Sequence, residues 1–186
     1  MTGVTPGAVV VREAVPADAE AIGEVHGAAW SAAYPSIFAA ADLAQLVSAR
    51  RRDRWPATFA GAAFGATTLL VAERAGVVVG FLHGGPTRDA PDDGRGEVYS
   101  FNVHPTAWGS GAAGALLGAA CAILAGQGHG VVHLWTFQDA PQARRFYEKS
   151  GFDLTGRTKK EGPAGVPPVT EIEYTRAVGP DGRISG

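Results

Sequence analysis

Apolar residues along this chain recur with two periods. Val9–Arg12 is a short β-branched run and predicts a first strand. After Pro16-Ala17-Asp18, the residues Ile22, Val25, His26 and Ala29 return at helical spacing, with Pro16 or Asp18 marking the helix start. Trp30 to Pro35 reads as a break that carries two aromatics, Trp30 and Tyr34. Leu43, Leu46 and Val47 share one face of a second helix over Ala40–Arg51. That helix runs into Arg50-Arg51-Arg52-Asp53-Arg54, read as a solvated end whose charges suit the C-terminal dipole.

The pattern then shortens to strands. Thr67–Glu73 and Val77–Leu82 flank the turn Arg74-Ala75-Gly76, a hairpin signal. Gly84 to Gly96 is rich in Gly, Pro and Asp and predicts a loop. Glu97–Val103 predicts a fourth strand, Gly109–Leu124 a helix, Val131–Phe137 a fifth strand and Gln142–Lys149 a helix stopped by Gly151. Phe152–Arg157 and Val169–Thr175 complete the set. This order predicts one α/β domain over residues 9–177, with a mixed sheet of about seven strands and helices on both faces. Residues 1–8 and 178–186 read as flexible ends.

Composition narrows the function classes. The 186 residues are 46% hydrophobic and 18% charged, as in a globular protein rather than a disordered one. A net charge of −2 offers no broad field for nucleic acid. No apolar run approaches the ~20 residues that cross a bilayer, and Met1 to Ala8 does not read as a leader. The single cysteine, Cys121, forms no internal disulfide and sits among Leu117, Ile123 and Leu124 as a core residue. A cytoplasmic location is the expectation.

The most informative segment is Val103-His104-Pro105-Thr106-Ala107-Trp108-Gly109-Ser110-Gly111-Ala112-Ala113. A strand ends at Val103, and a glycine-bearing loop opens directly into a helix. Glycines let backbone approach a ligand closely. Free amides at a helix start, with the positive end of its dipole, suit a pyrophosphate. The segment lacks both the six-residue dinucleotide pattern and the Gly-Lys-Ser/Thr of a triphosphatase loop. On the following helix Gly111, Gly114 and Gly118 lie three and four apart, which predicts close approach to the sheet or to a ligand.

Three segments together resemble the GCN5-related N-acetyltransferase (GNAT) family. Val103 to Ala113 is similar to its acetyl-CoA loop, Gln/Arg-x-x-Gly-x-Gly/Ala. Ala143-Arg144-Arg145-Phe146-Tyr147-Glu148-Lys149-Ser150-Gly151-Phe152 resembles Ala-x-x-Phe-Tyr-x-x-x-Gly-Phe, and Arg12 to Asp18 resembles an opening Arg-x-Ala-x-x-x-Asp. The likeness spans about Val9 to Arg176. It implies that acetyl-CoA is the acetyl donor, with no metal, and that the amides of Trp108, Gly109, Ser110, Gly111, Ala112 and Ala113 hold its pyrophosphate. It implies further that the backbone of Phe101, Asn102 and Val103 pairs with the pantetheine arm, and that a bulge splays the fourth strand from the fifth. Three positions depart from the family pattern. Thr106 stands where Gln or Arg is usual, Ser110 and Gly114 replace residues that are often basic, and Ala140 stands where Asn is usual.

Acetyl transfer to an amine needs a proton acceptor for the amine and a donor for the leaving thiolate. By the resemblance, Tyr147 is the acid. Glu97, six residues before Val103, is the base, as in the histone-modifying branch. Simple alternation puts Glu97, Tyr99, Phe101 and Val103 on one side of the strand. Glu73, Asp139, His83 and His104 are weaker candidates. Asp139 reads better as a helix cap with Gln142 three residues on, and the two histidines read as solvated. No His, Cys or Asp spacing suggests a metal. Trp30, Tyr34 and the Gly84–Gly96 loop are expected to line the acceptor side. The acceptor is then a small-molecule amine or a peptide amino-terminus, with neither nucleic acid nor membrane as partner and a homodimer left open. The competing reading is a non-catalytic acyl-CoA sensor on the same fold.

Overall fold

The computed structural model describes residues 7–89, 93–161 and 166–179, with the side chains of residues 49–53 also outside the description. Residues 1–6 and 180–186, most of the two expected flexible ends, therefore lie outside the described residues. Val178, at the start of the expected tail, is buried, and its amide donates to the Gly130 carbonyl at 3.0 Å.

Seven strands form one mixed sheet in the order β1-β2-β3-β4-β5-β7-β6. They are β1 (Val9–Glu13), β2 (Thr68–Arg74), β3 (Val77–Pro86), β4 (Gly96–Val103), β5 (Val131–Phe137), β6 (Asp153–Glu161) and β7 (Val169–Ala177). All neighbours pair antiparallel except β4 and β5, which run parallel. Helices α1 (Ala19–Ala33), α2 (Ala40–Val47), α3 (Ala49–Ala60), α4 (Ala112–Gly126) and α5 (Pro141–Lys149) complete the fold.

The continuous apolar run of β2 follows from helices on both faces. On one side Leu69, Val71 and Phe81 pack against Ile22 and Val25 of α1 and Trp55 of α3. On the other, Leu70, Leu82, Val98 and Leu134 pack against Leu116, Leu117, Cys121 and Leu124 of α4, and this core continues to Tyr147 and Phe152. The opening motif is structural. The Arg12 guanidinium donates to both oxygens of Asp18, at 2.7 and 2.9 Å, and to Glu73 of the neighbouring strand. Asp18 also accepts the Val15 amide at 2.8 Å, which fixes the short turn before α1.

Several boundaries differ from the sequence reading. Trp30 is not in a break: α1 continues to Ala33, and Tyr34 is its C-cap. The aromatic pair faces inward, where Trp30, Tyr34, Phe38 and Phe137 form one ring cluster. The second helix stops at Val47, and a third helix starts after Ser48. Its Trp55 is fully buried against Phe81, with ring centroids 4.7 Å apart. The surrounding arginines hid that anchor in a segment that looked wholly solvated. Strand β3 runs on through Gly84 and Gly85 to Pro86. Glycine is required at position 84, because a Cβ there would lie 2.8 Å from the Glu97 carbonyl oxygen. By contrast, a Cβ at Gly114 or Gly118 would meet nothing within 4 Å, so close helix–sheet approach is not why those glycines stand in α4. Asp139 does not cap α5: the N-cap is Ala140, and no side chain bonds there.

Candidate active site

The site is built on a defect in the sheet. Across β3 and β4 the register runs Phe81↔Asn102, Leu82↔Phe101 and His83↔Ser100, then jumps to Gly84↔Val98. Tyr99 is the extra residue, a bulge in β4. Pairing of β4 with β5 covers only Gly96↔Val132, Glu97↔His133 and Val98↔Leu134. Beyond Val98 the two strands part, which leaves one edge of residues 100–103 open to an added strand-like ligand. The bulge also corrects the expected alternation. Phe101 and Val103 pack with the α4 core, as Val98 does before the bulge, so Glu97 does not share their face.

At the end of this open edge lies the loop into α4. Pro105–Ala107 makes a single 3₁₀ turn, capped by the His104 ring. The Trp108 indole N–H donates to the Val103 carbonyl at 2.9 Å and ties the loop back to β4. Gly109 and Gly111 adopt φ of +77° and +88°, the left-handed region that favours glycine. The amides of Trp108 and Ser110 are spent inside the turn, on Pro105 and Ala107, and the Ala112 amide lies 3.4 Å from the Ser110 hydroxyl. Among the described residues the amides of Gly109, Gly111, Ala113 and Gly114 donate to no backbone carbonyl. They form the bare start of α4, and a Cβ at Gly109, Gly111 or Gly114 would meet nothing within 4 Å. The fold thus presents several amides with room above them, the geometry that suits a pyrophosphate. The Thr106 hydroxyl is bonded to the His104 ring instead.

Two cavities meet at the splay. One, of about 620 Å³, runs along the loop and the start of α5, and its walls include Asn102, Val103, Trp108, Gly109, Gly111, Ala112, Ala113 and Ala140. The other, of about 600 Å³, lies beyond the bulge, with Trp30, Tyr99, Ser100, Trp135, Phe137 and Glu171 among its walls. Tyr34, Phe101, Asn102 and Tyr147 border both. Tyr147 is 8% exposed and packs against Phe101, Phe146 and Phe152. Burial, and then the neighbouring Tyr34, hold its hydroxyl well above the usual tyrosine range.

The carboxylates divide sharply. Glu97 is 1% exposed, and Arg88 grips it with its backbone amide at 2.8 Å and its guanidinium at 2.5 Å. It does not border either cavity among the described residues. Glu171 on β7, which the sequence reading passed over, does border the second cavity, and burial pushes its carboxyl up. Nothing local in the sequence marks it; its pairing with Phe137 across β5 and β7 puts it there. His83 is also not solvated as expected. It is 9% exposed on β3, and burial followed by the charges of Arg54 and Arg88 lowers its pKa to about 4. Asp89, His133 and Glu173 do come together, with ligand atoms within 4.8 Å of one another. Their charges are already met by protein: Glu173 holds Arg95 and Arg157 at 3.0 and 2.9 Å, and Asp89 accepts the Trp135 indole N–H.

Comparison with known proteins agrees with this geometry. The acetyltransferase (GNAT) family model matches residues 29–152. No curated protein matches the sequence. Among solved structures, a GCN5-related N-acetyltransferase from Rhodopseudomonas palustris superposes with a TM-score of 0.72 at 18% identity, covering 95% of this chain and 99% of that one. The PaiA N-acetyltransferase of Thermoplasma acidophilum, in complex with coenzyme A, gives 0.69 at 18% identity over 90% and 99%. YncA of Salmonella typhimurium, a putative acetyltransferase solved with acetyl-CoA, gives 0.68 at 23% identity over 91% and 94%. With a parallel β4–β5 pair that parts at a bulge, a glycine loop at the start of α4 and a family match over more than half its length, the chain belongs to the acetyltransferase (GNAT) family and is an N-acetyltransferase of that family.

Proposed function

We propose that this protein transfers acetyl from acetyl-CoA to a primary amine by direct attack in a ternary complex. The observation that carries this is the pair of cavities that meet at Tyr34, Phe101, Asn102 and Tyr147. One holds the donor and the other the acceptor, so the amine reaches the donor without a covalent enzyme intermediate. The free amides of Gly109, Gly111, Ala113 and Gly114 bind the pyrophosphate. The open edge of Phe101, Asn102 and Val103 pairs with the pantetheine arm. When bound, acetyl-CoA supplies an activated thioester carbonyl and a thiolate leaving group.

The remaining work is proton handling. The amine must lose a proton to attack, and a carboxylate of the acceptor cavity takes it. Family likeness points to Glu97, but both its oxygens are turned to Arg88. Glu171 opens onto the cavity, and a carboxyl raised by burial is the better base at neutral pH. We assign the base to Glu171 and read Glu97 as the residue that holds Arg88 at the cavity wall. As the carbon–nitrogen bond forms and the carbon–sulfur bond breaks, the sulfur takes the Tyr147 hydroxyl proton, and the proton held on Glu171 restores the tyrosine through solvent in the cavity before the next turnover. Burial keeps that proton in place until negative charge grows beside it.

The test is release of free CoA thiol, with the acetylated amine identified by mass spectrometry, across a panel of amines. Binding of acetyl-CoA without thiol release from any amine would leave the sensor reading in place of the transferase.

A further inference from the structure

The walls of the acceptor cavity carry both signs of charge, from Arg54, Arg88, Glu161 and Glu171. On one wall stand Arg54 of α3 and Arg88 of the β3–β4 loop. Arg88 is answered by Glu97. Arg54 lies over the Trp55 ring, 5.4 Å from its centroid, and among the described residues its guanidinium has neither a hydrogen-bond acceptor nor a carboxylate partner. Arg54 stays exposed at the cavity wall, partial desolvation and the like charge of Arg88 both work against its charge, and the same two arginines help to keep His83 neutral. Two carboxylates, Glu161 and Glu171, line the same cavity, the second within the field of Arg88. Lys159 is shared by two carboxylates, Glu161 at 3.2 Å and Glu171 at 3.6 Å, which leaves one negative charge in excess.

An exposed guanidinium with no protein acceptor, beside a second one, is ready to take a planar oxyanion. A carboxylate pair that outnumbers its cation attracts an ammonium. We infer that the acceptor is a small amine that itself carries an oxyanion, a carboxylate or phosphonate. The oxyanion docks on Arg54, and the amino group is drawn toward Glu161 and Glu171. This names the substrate class of the acceptor cavity and rests on the transferase reading above. It also fits a cavity whose charged groups stand among aromatic walls from Trp30, Tyr99 and Trp135: the walls take the body of the molecule and the charges fix its direction.

The experiment is a matched panel with the wild-type enzyme. ω-Amino acids and ω-aminoalkylphosphonates are compared with the corresponding carboxamides and plain amines, following CoA thiol release. The oxyanion-bearing acceptors should have the higher kcat/KM, and the carboxylate and phosphonate arms tell which oxyanion fits. Arg54→Gln should then cut the preference for acid over amide by about 10- to 100-fold, the range that one hydrogen bond to a charged group spans. Most of the change should appear in KM. Amides or plain amines that match the acids would overturn the inference while leaving the transferase intact. So would an acid preference that survives in Arg54→Gln. Thermal unfolding and acetyl-CoA binding accompany the variant, and the wild-type panel decides by itself if that variant does not fold. Thiol release from no amine at all would remove the transferase reading, and this inference with it.

Discussion

Tyr147 and Glu171 show how position alone sets chemistry. Each is an ordinary side chain made unusual by burial. Tyr147→Phe keeps the ring that fills the core beside Phe152 and deletes only the hydroxyl. Turnover should fall by about 10²–10⁴, the usual worth of general acid help. Acetyl-CoA affinity and the melting temperature should hardly change. Because burial raises the Tyr147 pKa, the hydroxyl keeps its proton beyond the ordinary ~10 of tyrosine. No alkaline fall in kcat below that pH belongs to it. The base is separated by two amides. Glu171→Gln should remove the acid limb of the pH–rate profile, since the carboxylate must be ionised to act and its raised pKa places that limb above the ordinary ~4.3 of glutamate. Glu97→Gln should leave the limb where it was. The opposite pattern would return the role to Glu97.

At the scale of elements, β4 and the loop that follows it make the donor site. The bulge at Tyr99 and the loss of β5 pairing after Val98 open an edge, and the loop delivers α4 with its first amides exposed. Gly111 is the N-cap of α4 at φ +88°, and a side chain there would meet no atom. The cost of Gly111→Val is therefore conformational, about 1–3 kcal/mol of backbone strain. The loop should relax out of the left-handed region and turn its amides away. Calorimetry should show acetyl-CoA binding at least about tenfold weaker, the equivalent of ~1.4 kcal/mol, while circular dichroism shows the fold retained. Unchanged affinity would move the pyrophosphate elsewhere.

For the whole molecule, the Arg12–Asp18–Glu73 network joins the first strand, the start of α1 and the second strand. Hydrogen bonding from Arg12 holds the Asp18 carboxyl below its usual value. A carboxylate depressed in the folded state adds stability above its unfolded pKa and loses it as pH falls through the folded one. Asp18→Asn should therefore lower the melting temperature at neutral pH, by roughly 2–4 °C for each kcal/mol lost in a chain of this size. The gap to wild type should narrow below about pH 4 and close once Asp18 is protonated. A gap that stays constant with pH would mean that shape rather than charge holds this corner together.

Local patterning by itself determined much of this protein. Strand and helix order follows from apolar periodicity. The donor loop follows from Gly109 and Gly111 placed between an apolar strand and an apolar helix, and those residues need no distant partner to do their work. What only the tertiary structure decided depends on residues far apart in sequence. Trp55 became a core anchor because Phe81 and α1 lie above it, although its neighbours in sequence are charged. Asp139 lost its capping role because Ala140 took the N-cap. Glu97 lost its side of the strand because one extra residue, Tyr99, shifts the register across β3 and β4. Glu171 and Arg54 reached the acceptor cavity only through the pairing of β5 with β7 and the docking of α3. Period and turn chemistry are written in neighbouring residues, whereas register and burial are set by whichever strands and helices meet.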